Sequence, residues 1–252
     1  MGRSSRIPFA PISLVLLAGA TVLLFFVVLS GLTRTSPLRQ TYFLSADTAG
    51  ISGARPVSQW TYFRVCGAGN ADCGRAWPDF PLGWAWSGHP AGADLPDRLV
   101  GSYGAGTTSS YYFYLWRFGW VFYLLALFFA VAAFFTGFLA FFGRLGAAVA
   151  GLASLVALFF HTLAAALMTV TFVKMRDEFV RAGRGARIGR YAFGFTWGAW
   201  AALFIATVLF CLGMRGRKDD YHGNGSGWGR KRSVRSRRSY DIGTHRVKDN
   251  YA

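Results

Sequence analysis

The chain's 252 residues, 53% hydrophobic and 17% aromatic, would suffice for one globular domain, yet the apolar residues are gathered into long blocks that a water-excluding core does not need. The formal charge of +16 lies mostly between and after those blocks, so a bilayer is the solvent that fits and a water-soluble fold is excluded.

Residues 1–11 carry Arg3 and Arg6 and precede an uncharged block from Ile12 to Leu32. A span needs about 20 helical residues, so residues 12–32 read as a first crossing. A cleaved signal peptide is the alternative, but its apolar region is usually only about 7–15 residues long.

Residues 33–117 are polar, with many Gly, Pro and Asp between short aromatic runs, and read as a small ordered domain. From Gln59 to Cys66, Trp60, Tyr62 and Arg64 alternate with Thr61, Phe63 and Val65, which predicts a strand; Thr41, Tyr42 and Phe43 are candidates for its neighbour. Gly-Ala-Gly-Asn-Ala-Asp separates Cys66 from Cys73, a flexible stretch that lets two sulfurs meet across a hairpin. The third cysteine, Cys211, lies at the far end of the last apolar block, so the first two share an oxidising face and pair with each other. Two free buried thiols are the alternative, and zinc would lack a histidine at ligand spacing.

From Phe118 to Val173 the only charge is Arg144, and the segment is too long for one crossing. It must fold back at Gly143, Arg144 and Gly146, giving spans over 118–142 and 145–173 with a turn at 143–144. A second loop covers 174–190, a fourth span 191–212 and a basic tail 213–252. Four crossings put both termini on one side, and Arg3, Arg6, Arg144 and the tail assign that side to the cytoplasm. The second loop disagrees, since Lys174, Arg176, Arg181, Arg184, Arg187 and Arg190 face only Asp177 and Glu178.

Gly194, Gly198, Ala202 and Ala206 recur at every fourth position of the last span and read as a close-packing face, within the bundle or between protomers. Ala153, Ala157, His161 and Ala165 make a similar face on the third. His161 is the only ionisable residue inside a span; with no ionisable partner at its depth, it reads as a neutral, hydrogen-bonded bundle residue in place of a proton relay. No catalytic triad, phosphate loop, metal motif or carboxylate pair is present, so the sequence predicts neither an enzyme nor a bound cofactor or metal. Asp47, Asp72, Asp79, Asp94 and Asp97 read as solvated turn residues. In the tail, Arg230, Lys231, Arg232, Arg235, Arg237 and Arg238 alternate with serines behind a glycine-rich tether and predict a segment disordered on its own that binds anionic phosphoinositide membranes. A nucleic-acid patch is the rival, and attachment to four spans argues against it.

Four spans with Trp60, Cys66 and Cys73 in the first long loop give a claudin-like layout. The run Ala46-Asp47-Thr48-Ala49-Gly50-Ile51-Ser52-Gly53, then Ser58-Gln59-Trp60-Thr61-Tyr62, the cysteine pair and Arg117 at the entrance to the second span resemble the fungal eisosome-associated four-span proteins of the Sur-seven/PalI type. The motif residues are Asp47, Gly50, Gly53, Trp60 and Arg117; the resemblance covers residues 1 to about 212 and leaves the tail unmatched. It implies an all-α transmembrane four-helix bundle with a small extracellular, disulfide-stapled β-sheet. It also implies a multi-pass plasma-membrane protein of furrow-like microdomains that works as a homo-oligomer with sphingolipid, phosphoinositide and the cytoplasmic BAR-domain scaffold of the eisosome. The PalI branch, accessory to ambient-pH-sensing receptors, is the nearest alternative, and a transporter or channel a more distant one.

Overall fold

The structure is a computed structural model that describes residues 9–33, 35–86, 95–140 and 144–215. The reversal at Gly143 and the basic cluster from Arg230 to Arg238 lie outside the described residues. Four long helices, α1 (Phe9–Val28), α3 (Ser110–Leu139), α4 (Arg144–Arg181) and α5 (Arg190–Arg215), are each apolar and long enough to cross a membrane. A single turn, α2 (Tyr103–Gly106), precedes α3. Large apolar side chains point away from the bundle, Phe128 and Phe135 at 65% exposure and Leu145 at 80%, as lipid-facing surfaces do.

The helices do not follow the hydropathy limits. α1 stops at Val28, short of Leu32, because Gly31 takes φ +77° and lies under Thr61, whose hydroxyl oxygen would be 2.5 Å from a Cβ there. Next to it the Ser30 hydroxyl accepts the Tyr62 backbone N–H at 3.2 Å, tying the end of α1 to the loop domain. α3 begins at Ser110, ahead of Phe118, so the Tyr111–Trp116 aromatics are helical. α4 continues from Val173 to Arg181, carried by Met175 and Phe179, which are buried while Val180 faces out. Its end is a Schellman cap: Gly183 at φ +75°, Arg184 N–H donating to Phe179 O at 2.9 Å and Gly183 N–H to Val180 O at 3.0 Å.

Beyond the helix ends stands a four-stranded antiparallel sheet of order β3-β2-β1-β4, with β1 Leu44–Asp47, β2 Val57–Trp60, β3 Val65–Cys66 and β4 Ala186–Ile188. The expected single strand from Gln59 to Cys66 is instead a hairpin that reverses over Thr61–Arg64, where Thr61 N–H and its hydroxyl both donate to Arg64 O. The neighbouring strand starts at Leu44, just beyond the expected Thr41–Phe43. Register pairs Leu44 with Trp60 on one side and with Ile188 on the other, so the two loops on this side of the bundle form one head.

Candidate functional site

The head is held by aromatic rings that donate as well as pack. Trp60, fully buried, donates its indole N–H to Leu82 O at 2.9 Å and packs against Trp86 and Phe179. Trp116 donates to Phe80 O at 2.9 Å, Trp86 to Thr107 O at 3.1 Å and Trp120 to Tyr62 O at 3.2 Å. These bonds satisfy carbonyls in segments with little regular structure, which is how the proline- and glycine-rich stretch is ordered. Phe43, just before β1, stacks on Phe172 at 4.9 Å and meets Trp116 and Phe193, joining the start of the sheet to α3, α4 and α5. The Tyr62 hydroxyl donates to Trp120 O at 2.7 Å, and burial pushes it well above its ordinary range, so it stays protonated. Trp86, Trp116, Trp120 and Tyr112 are thus core residues, whereas Trp77, Tyr111 and Tyr114 are exposed.

The Asp47–Gly53 run is a tight turn after β1. Asp47 Oδ1 accepts Ala49 N–H at 3.0 Å, Thr48 Oγ1 donates to Arg55 O at 2.5 Å and shares a 2.9 Å bond with Ser58, and Gly50 and Gly53 both take φ +78°. Only glycine adopts that backbone without strain, which accounts for both positions. The turn also receives the second loop: Asp47 N–H donates to Gly185 O at 2.7 Å and Arg184 donates to Ala49 O at 2.8 Å.

Cys66 and Cys73 are joined by a disulfide at the end of β3. Inside its loop the buried Asn70 donates to Leu38 O at 2.8 Å and Thr41 O at 2.9 Å, and its own N–H reaches Gln59 Oε1 at 2.9 Å. Arg55 pairs with Asp72 at 2.9 Å across the same loop. Cys211 is free and exposed on α5.

Arg117 lies within α3, pairs with Asp79 and covers the Phe113 ring at 5.0 Å. Asp79 is therefore not a solvated turn residue. Burial pushes its carboxyl up, and the Arg117 charge and hydrogen bond hold it down against that. Nothing in the local sequence marks this pair, because its members come from different elements far apart in the chain.

The every-fourth stripe on α5 divides between the bundle and the outer surface of the helix. Four residues advance a helix by about 40° beyond a full turn, so such a stripe winds around its surface. Accordingly Ala206 is buried and Ala202 half-buried, Gly198 lies 3.5 Å, at its virtual Cβ, from Leu23 of α1, and Gly194 has nothing within 4 Å. The face that α5 gives to the bundle is Ala192, Thr196, Ala199, Leu203, Ala206 and Phe210. On α4, by contrast, Ala157, His161 and Ala165 are all buried and Ala153 half-buried.

His161 Nε2 lies 2.9 Å from Thr196 O, and the Thr196 hydroxyl lies 3.2 Å from Tyr123 Oη while donating to Ala192 O at 2.8 Å. These contacts bind α3, α4 and α5 at one depth, and Ser154 and Thr207 make a second α4–α5 bond at 2.6 Å. Among the described residues no three His, Cys, Asp or Glu side chains gather as metal ligands.

The sequence profile described as the SUR7/PalI family matches residues 9–209. Over 212 residues the chain is 34% identical to Protein SUR7 of Candida albicans, covering 82% of this chain and 75% of the relative. It is 35% identical over 208 residues to SUR7 family protein FMP45 of Saccharomyces cerevisiae, covering 76% of this chain and 64% of that protein. A relative described as an uncharacterized plasma membrane protein, YNL194C of the same yeast, is 31% identical over 208 residues, covering 79% and 66% respectively. The chain thus spans slightly less than two thirds of the length of both S. cerevisiae proteins.

Proposed function

The chain belongs to the SUR7/PalI family, and we propose that it is a non-enzymatic organiser of a plasma-membrane microdomain of the eisosome type. It acts through self-association, lipid contact and docking of a cytoplasmic BAR-domain scaffold. In this reading both termini are cytoplasmic and the head is extracellular. The disulfide fits an oxidising outer face, and the basic residues 230–238 would meet anionic phosphoinositide lipid inside.

The observation that carries the reading is the combination of a cross-braced head with a bundle whose interior is filled. The buried faces of α3, α4 and α5 are occupied by Ala, Leu, Phe, Met, Trp and Tyr and by Thr, Ser and His that hydrogen-bond between helices, packing suited to a stable lateral building block. The homologue described as a plasma membrane protein supports the location.

A fluorescent fusion expressed in a fungus tests it. Immobile cortical patches that coincide with the BAR-domain scaffold and recover slowly after bleaching are expected. A mobile, evenly dispersed signal would contradict the microdomain role, and pH-dependent association with an ambient-pH receptor would favour the PalI-type accessory role.

A further inference from the structure

The loop side of α4 and α5 carries more cations than its acids can take, and their contacts separate them into two groups. Arg176 donates to Asp177 at 2.9 and 2.5 Å, Arg181 to Glu178 at 2.8 Å and Arg184 to Ala49 O, while Lys174 lies over the Tyr111 ring at 4.9 Å. Among the described residues Arg187 and Arg190 make no ion pair. Both line one groove of about 600 Å³, with Tyr42, Arg176, Ile188 and Tyr191. Among the described residues no carboxylate lines it, and its three guanidinium groups outnumber the one carboxylate, Asp177, that Arg176 holds.

Position and shape define the occupant further. Arg190 opens α5, a helix of 26 residues, so the positive end of its dipole adds to the guanidinium charges. Immediately after it the apolar residues of α5 begin, and on α4 Lys174 is the first charged residue after Arg144. Ile188 and Tyr191 give the groove an apolar lip at that boundary, where amphipathic rings settle in a bilayer. Guanidinium forks match phosphate oxygens in paired hydrogen bonds.

We propose that this groove holds the phosphate headgroup of an anionic phospholipid in the leaflet beside the head, with Arg187 and Arg190 as its principal ligands and Arg176, shared with Asp177, as a third. The inference deepens the lipid contact of the proposed function and rests on that reading for the identity of the leaflet.

Native mass spectrometry of the detergent-solubilised full chain tests it, with phosphatidylinositol, phosphatidylcholine and soluble glycerophosphoinositol titrated separately. The wild type should retain phosphatidylinositol in preference to phosphatidylcholine, and Arg187→Gln with Arg190→Gln should weaken that retention roughly tenfold or more. Arg39→Gln with Arg75→Gln, equal in charge but outside the groove lining, should leave it unchanged, and the basic tail is common to all three proteins. Equal retention by the groove variant and the wild type would overturn the proposal. So would equal retention of the two lipids by the wild type, or glycerophosphoinositol binding as tightly as the lipid. Because binding is read in vitro, a failure here is distinguishable from a failure of the fusion to form patches.

Discussion

Trp60→Ala is expected to lower stability by about 4 kcal/mol, the scale for removing a large buried aromatic side chain. The side chain is fully buried, its indole supplies the N–H that satisfies Leu82 O, and its loss would open a void between Trp86 and Phe179. The head should lose its fold while the helices stay in the membrane. Size-exclusion thermostability in detergent would read this as a large fall in the temperature of aggregation. Trp77→Ala removes an indole that is 46% exposed and lies under Arg75, and should cost no more than about 1 kcal/mol. Equal losses from the two would show that Trp60 is not a core residue.

The second large effect is expected from the smallest substitution. Gly189 joins β4 to α5, donates its N–H to Phe43 O at 2.9 Å and is buried so tightly that a Cβ would overlap the Tyr42 carbonyl oxygen. Because the obstacle is backbone, Gly189→Ala must push β4 off β1 or displace the start of α5, with an expected cost of about 3 kcal/mol, the upper range for overpacking. Gly194→Ala, one turn further on in open space, should instead be neutral or slightly stabilising, since alanine is the better helix former. A loss of stability from Gly194→Ala equal to that from Gly189→Ala would mean that close approach is not what the glycine at 189 provides.

The four spans were legible because hydropathy over about 20 residues is a strong signal, and the cysteine pair because only two of the three thiols could share a compartment. The ends of the spans were not. Met175 and Phe179 extend α4 by packing under the sheet, a tertiary contact invisible to a hydropathy window. β4 is hidden for a different reason: the three residues between Gly185 and Gly189 are too few for their alternation to stand out, and Ala186–Ile188 becomes a strand because β1 offers it an edge. At the candidate site, the glycines of the Asp47–Gly53 turn could be read from residue type. The Asp79–Arg117 pair, the indole bonds and the sorting of cations around Arg187 and Arg190 depend on residues brought together from distant segments.

The two loops on one side of the bundle form a single sheet, the rigid head on which the proposed function and the lipid groove both depend. Ala46 and Ala186 stand opposite each other across β1 and β4, flanked by the Asp47–Gly185 hydrogen bond, so the pair is of the closely spaced type whose Cβ atoms approach most nearly. With cysteine placed at both positions, mild oxidation of the membrane-embedded protein should join the peptides of the two loops, as judged by mass spectrometry after digestion under non-reducing conditions. Recovery of both introduced thiols in their alkylated, unlinked form, with the Cys66–Cys73 bond intact, would show that β4 does not pair with β1.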